Sequence, residues 1–208
     1  MGILDVIVLG VIQGVTEFLP VSSSGHLVIT QYLLGINSPG NTLEILFHFG
    51  TLLSVVFVFF NEIKLILISL HERNTQILTG YLIIATIPAV FVGIGLKDYI
   101  LGIFDSVEYV SLALIFTGSV LILSSKFKHS QKKHSFFSSL AIGLAQALAI
   151  IPGISRSGLT ISMSIFLGIA PKEAAKFSFL LSIPIILGAS LFGVFELEND
   201  GMIDSLTV

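Results

Sequence analysis

Three runs of this chain, 77–96, 136–155 and 177–195, contain no charged residue, and each approaches the ~20 residues that an α-helix needs to cross a bilayer. They lack period-2 alternation, so they read as helices and not as the wall of a barrel. Composition agrees: 54% of the 208 residues are hydrophobic and 11% charged, whereas a soluble domain is about a quarter charged. With a mean hydropathy of +1.00, a soluble fold is excluded. The first 19 residues are expected to remain in the mature protein. Asp5 stands where a signal peptide is basic, and Gln13 and Glu17 follow with no small-residue cleavage site. Without cysteine, disulfides and thiolate metal ligation are unavailable.

Charge between the runs gives the topology. Segment 125–135 carries Lys126, Lys128, Lys132 and Lys133 and no acid, which places it in the cytoplasm by the positive-inside rule. Counting back through spans at 109–124, 77–96 and 45–60 puts 97–108 outside, 61–76 inside and 37–42 outside. The acids Asp98, Asp105 and Glu108 and the bases Lys64 and Arg73 fall accordingly. The span at 177–195 runs outward, from Lys172 and Lys176 towards Glu196, Glu198, Asp200 and Asp204. Residues 136–170 then begin and end in the cytoplasm. Their interruption at 151–158 predicts a re-entrant hairpin with that loop at its tip, and the interruption at 19–25 predicts another.

The two interruptions are copies. Gly10, Gln13, Ser22, Ser24 and Gly25 match Gly143, Gln146, Ser155, Ser157 and Gly158 at a constant offset of 133. Three spans separate the hairpins, so the second enters from the opposite face. The expected fold is an all-α polytopic membrane protein with an inverted-topology repeat, the architecture in which broken helices meet near the midplane. It forms a single membrane domain over 1–208, with repeat 1 at about 1–133 and a partial repeat 2 at about 134–208. A complete second copy runs about two ~20-residue spans beyond Val208, so the expectation is either a truncated product or a natural protein that has lost its last two helices.

Few residues in these segments can do chemistry. Gln13 and Glu17 share a helix face at i, i+4, and a carboxylate within a membrane segment is either functional or a polar contact between helices. Ser22, Ser23, Ser24, Gly25 and His26 offer hydroxyls, an imidazole and the free N–H groups of a helix start, which favour anions. Glu17, Ser23 and His26 together supply a base or metal ligand, a nucleophile and a proton donor. Arg156 is the one charge between Lys133 and Lys172. Its planar fork suits phosphate, the alternatives being a snorkelling arginine or a structural pair with Glu17. His48 is either a neighbour of the site or an interhelical hydrogen-bonding group. His129 and His134 are read as hydrated loop residues or headgroup contacts, and Pro88 and Pro184 as kinks. Phosphoryl chemistry fits this set better than acyl transfer.

Two stretches, QGVTEFLPVSSSGH at 13–26 and PGISRSGLT at 152–160, make the chain resemble the undecaprenyl-diphosphate phosphatase family of bacitracin-resistance membrane enzymes. The resemblance covers essentially all 208 residues. It implies release of inorganic phosphate from a polyprenyl diphosphate lipid, regenerating the monophosphate carrier for peptidoglycan and other cell-wall glycan synthesis. A divalent cation, Mg²⁺ or Ca²⁺, assists, with no organic cofactor and no nucleic-acid partner. The resemblance assigns catalysis to Glu17, Ser23, His26 and Arg156, with Glu17 also a metal ligand. Substrate binding falls to Gln13, Ser22, Ser24, Gly25, Gly153, Ser155, Ser157, Gly158 and Thr160. The expected location is the cell membrane with the site facing outside, and a homodimer is compatible with it. The family has two further C-terminal helices. The rival readings are a polyprenyl-phosphate transporter or flippase, because secondary carriers use the same architecture, and an inactive fragment.

Overall fold

The computed structural model describes residues 2–36, 42–96, 106–128 and 132–199. Every regular element among them is helical. In chain order these are α1 (Ile3–Thr16), α2 (Ser23–Leu34), α3 (Thr42–Val58), α4 (Phe60–Ile68), α5 (Arg73–Gly95), α6 (Val107–Ser125), α7 (Phe136–Leu148), α8 (Arg156–Phe166) and α9 (Pro171–Asn199). Helices α5 and α6 and residues 171–193 of α9 are long and apolar enough to cross a membrane. Helices α3 and α4 make a fourth span only if counted together, since they meet at a 70° bend. The chain is an all-α polytopic membrane protein.

The run 136–155 is interrupted where the sequence reading has its break: α7 ends at Leu148, the chain turns through Pro152, and α8 begins at Arg156. One expectation changes. The charged connection expected at 61–76 is largely helical, comprising α4 and the first turn of α5. Pro88 and Pro184 lie inside continuous helices.

Helices α1 and α7 have 14 and 13 residues. At 1.5 Å per residue each is about 20 Å long, short of a ~30 Å hydrocarbon core. Both keep a large apolar face outward: Ile3, Ile7, Val11 and Val15 on α1, and Phe136, Leu140, Leu144 and Leu148 on α7. Bilayer lipid can solvate such faces; water cannot. Inside, Ala85, Ile142, Phe177 and Leu181 join α5, α7 and α9 in one buried cluster. Helices α5 and α7 approach so closely that a Cβ on Gly143 would lie 2.7 Å from the Ala85 carbonyl oxygen. Gln146 Nε2 donates to that same oxygen at 3.0 Å.

Both short helices stop at a break and a second helix restarts beyond it. Pro20 and Pro152 sit in the breaks, where they can donate no helical N–H. Ser22 and Ser155 cap the restarts, their Oγ accepting from Gly25 N at 3.2 Å and from Gly158 N at 3.0 Å. Ser22 holds this position at φ 68°, a region that non-glycine residues rarely enter and that tends to occur at functional sites.

Candidate active site

The breaks are packed against each other, and their contacts are exchanged. A Cβ on Gly25 would lie 3.1 Å from Gly153 Cα, and one on Gly158 3.0 Å from the Pro20 carbonyl oxygen. Hydrogen bonds also cross between the breaks: Gly153 N donates to Ser24 Oγ at 3.4 Å, and Ser157 Oγ donates to Leu19 O at 3.3 Å. Glycine at 25, 153 and 158 thus permits an approach that a side chain would block, and Gly153 also requires it for φ 90°.

This crossing brings Arg156 to Glu17. Arg156, the first residue of α8, places Nη2 2.7 Å from Glu17 Oε1, while Nη1 donates to Ser178 O at 3.4 Å. The other carboxylate oxygen, Oε2, accepts from Ser23 Oγ at 2.5 Å and from Gln13 Nε2 at 3.1 Å. His48 Nε2 lies 3.6 Å from the same oxygen. Glu17 is buried, so the charge in its apolar surroundings depends on these partners, as membrane-embedded carboxylates do.

A cavity of about 480 Å³ opens on this cluster. Glu17, Arg156, His48 and the serines at 22–24, 155 and 157 form its polar end. Val90 and Ile94 of α5 with Ile185, Ala189 and Phe192 of α9 form its apolar side. The volume is that of a small-molecule pocket, with room for an anionic head and a short length of chain.

Of the residues read from sequence, Gln13, Glu17, Ser23 and Arg156 are in direct contact. Ser22, Ser24, Ser155 and Ser157 line the cavity, paired Oγ to Oγ at 3.3 Å within each break. Thr160 faces away, with its hydroxyl on Arg156 O and Ser178 Oγ. His26 points its Nδ1 at Ser22 O, 2.7 Å away, and is not among the cavity-lining residues. His134 differs from its reading as a hydrated loop residue: its ring stacks on Phe177 with centroids 4.0 Å apart. His129 lies outside the described residues. Thr117 and Ser178, which no motif marks, also hold the site. The Thr117 hydroxyl donates to Gly153 O at 3.2 Å and accepts from Ser155 N at 3.1 Å, pinning the second break. A single polar residue in an apolar span carries no sequence signal for that.

Residues 6–207 match the family described as bacitracin resistance protein BacA. The chain belongs to this family. It is similar to an undecaprenyl-diphosphatase of Halothermothrix orenii, 42% identical over 205 residues, which cover 97% of this chain and 78% of the relative. A Syntrophotalea carbinolica undecaprenyl-diphosphatase is also 42% identical over 205 residues, covering 94% and 78%. Undecaprenyl-diphosphatase 1 of Bacillus cereus is 39% identical over 217 residues, covering 99% and 80%.

A divalent cation can be tested against the donor set. No group of three His, Cys, Asp or Glu suited to a metal occurs among the described residues. Mg²⁺ in phosphoryl sites is characteristically held by one or two carboxylates together with substrate oxygens, and Glu17 supplies one carboxylate on the cavity wall.

Proposed function

We propose that the chain hydrolyses undecaprenyl or another polyprenyl diphosphate to the monophosphate and inorganic phosphate, recycling the lipid carrier of cell-wall glycan synthesis at the plasma membrane. The observation that carries this reading is the junction of the breaks, where a guanidinium, a carboxylate and a hydroxyl in hydrogen-bonded series face one cavity. The similar proteins named undecaprenyl-diphosphatase support it.

In this mechanism the diphosphate head enters the polar end and the first isoprene units lie along the α5 and α9 wall. Arg156 binds the terminal phosphate and offsets charge building on its oxygens. The capping serines and the N–H groups of the two helix starts complete the anion site. Ser23 attacks phosphorus, or holds the water that does, and Glu17 Oε2 takes its proton. His26 serves proton transfer to the phosphate oxygens: a carbonyl can only accept, so Ser22 O fixes Nδ1 as the protonated nitrogen and leaves Nε2 for exchange. A bound Mg²⁺ or Ca²⁺, held by Glu17 and the substrate's own oxygens, would neutralise phosphate charge. The site faces outside, and the hairpins dip in from opposite faces as two copies of one unit. A homodimer is compatible with this arrangement.

The test is phosphate release from farnesyl or undecaprenyl diphosphate by the purified chain in detergent with Mg²⁺. Turnover that falls at least about 10²-fold in Ser23→Ala is expected. Tight diphosphate binding by the wild-type chain without any release would favour a carrier instead.

A further inference from the structure

The cavity does not end at its apolar side. A groove of about 360 Å³ adjoins it on α5, and Val90 and Pro184 line both. Along α5 the groove is lined by Thr79, Leu82, Ile83, Thr86, Ile87 and Val90, a spacing of three and four that makes one helix face. Gly93 and Ile94, which line the cavity, continue the same stripe, so a single face of α5 leads from the groove into the site. From Thr79 to Val90 this face runs about 17 Å at 1.5 Å per residue. Its surface is hydrocarbon. The Thr86 hydroxyl turns back on Leu82 O at 2.8 Å, the Thr79 hydroxyl is buried, and no charged side chain lines the groove. Leu82 and Thr86 are half-buried, whereas the adjoining row of Ile83, Ile87 and Phe91 is exposed.

We infer that this groove is the path of the lipid tail beyond its first isoprene units. The polyprenyl chain leaves the cavity between Val90 of α5 and Pro184 of α9 and runs back along α5, which makes Ile83 and Ile87 determinants of selectivity for long-tailed over short-tailed diphosphates. This rests on the phosphatase reading, which puts the diphosphate head at the Arg156 end of the cavity. In the topology proposed with it, the site faces outside and the groove descends towards the cytoplasmic start of α5. A tail must run in that direction from a head held at the outer face.

Bilayer lipid is about as apolar as these side chains, so the groove gives the tail shape and direction and adds little affinity. Two features favour the substrate's own tail over a bilayer lipid as its occupant. The groove is continuous with the cavity, and a chain tethered by its head reaches the groove at high effective concentration. Obstruction is therefore the informative change.

The experiment compares phosphate release from farnesyl and undecaprenyl diphosphate in detergent by the wild-type chain, Ile83→Trp and Ile115→Trp. Ile83 lines the groove and not the cavity, and it lies about 10 Å beyond Val90 along α5. Its 57% exposure leaves an indole room to extend over the groove. Ile115, exposed on α6, lines neither and controls for added bulk. The tail path predicts that the ratio of kcat/KM for undecaprenyl over farnesyl diphosphate falls at least about 10-fold in Ile83→Trp, the scale of a misfit in an apolar pocket. Farnesyl turnover by Ile83→Trp and the ratio in Ile115→Trp stay at wild-type values. An unchanged ratio in Ile83→Trp, or an equal fall in Ile115→Trp, overturns the inference. Should Ile83→Trp fail to fold, the wild-type chain decides: an undecaprenyl diphosphate with a diazirine in mid-tail should label α5 between 79 and 91, and unlabelled undecaprenyl diphosphate should compete the label away. Labelling that misses 79–91, or that resists competition, overturns the tail path. A wild-type chain that releases phosphate from neither substrate overturns both this and the phosphatase reading. An active wild type with an unchanged ratio in Ile83→Trp overturns the tail path alone.

Discussion

At the scale of residues, the Arg156 to Glu17 pair shows how charge and geometry divide the work. Removing one partner of a buried ion pair leaves an uncompensated charge and costs about 3–5 kcal/mol, whereas retaining the charge avoids most of that cost. Arg156→Ala is therefore expected to lower thermal stability in detergent and abolish turnover. Arg156→Lys is expected to stay folded but lose about 10²-fold in kcat/KM, because an ammonium cannot reach both Glu17 Oε1 and Ser178 O from one planar fork. A Lys variant with wild-type turnover would show that the fork is dispensable. This pairing was legible in the sequence, since an arginine at the tip of an apolar hairpin needs a counter-charge and Glu17 stood at the matching interruption. The approach of His48 to Glu17 was not, because a helix shows its neighbours only once it is packed. His134 makes a second case, in the loop outside the spans. Burial against Phe177 pushes its imidazole below the ordinary histidine value, with Glu173 acting in the opposite sense. The folded chain binds that proton less readily than the unfolded one. The contribution of a neutral His134 is then complete above about pH 6.5 and declines as the pH falls below it. His134→Phe should flatten the acid side of the melting temperature against pH; an unaltered slope would remove His134 as the cause.

At the scale of elements, the repeated glycines separate a motif's sequence from its packing. Gly10 and Gly143 occupy equivalent positions, but a Cβ at 143 would come 2.7 Å from the Ala85 carbonyl oxygen, and one at 10 meets only the Phe47 side chain at 3.4 Å. Backbone cannot yield as a ring can. Gly143→Ala should cost about 1–3 kcal/mol by driving α5 and α7 apart, while Gly10→Ala should stay within about 0.5 kcal/mol of wild type. Thermal unfolding in detergent measures both, and equal losses would contradict the close α5 to α7 approach. The long helices were readable from run length and charge, and the breaks from Pro and Ser capping. The 70° bend between α3 and α4 was not. It falls at Phe59 with neither proline nor glycine beside it, so nothing local announces it, and Glu62 and Lys64 make the segment look like a plain connection.

At the scale of the whole molecule, the contacts between the breaks are those of a two-fold relationship: 25 touches 153, and 158 touches 20, each pair being the other shifted by 133. Residue-for-residue exchange of this kind is what symmetry imposes on any isologous contact. The topology we propose adds an odd number of spans between the copies, with α3 and α4 counted as one, so that they enter from opposite faces with the lysine-rich loop in the cytoplasm. The chain offers a clean way to examine this, since it has no cysteine of its own. Glu108, exposed at the start of α6, and Lys133, exposed before α7, lie at opposite ends of the 107–136 stretch. In intact cells a membrane-impermeant maleimide should label Glu108→Cys and spare Lys133→Cys until the cells are lysed, and Arg73→Cys should behave as Lys133→Cys does. Labelling of Glu108→Cys and Lys133→Cys from the same side would break the odd count, and with it the opposed entry of the breaks. A complete reversal would keep the repeat but turn the cavity beside Arg156 towards the cytoplasm.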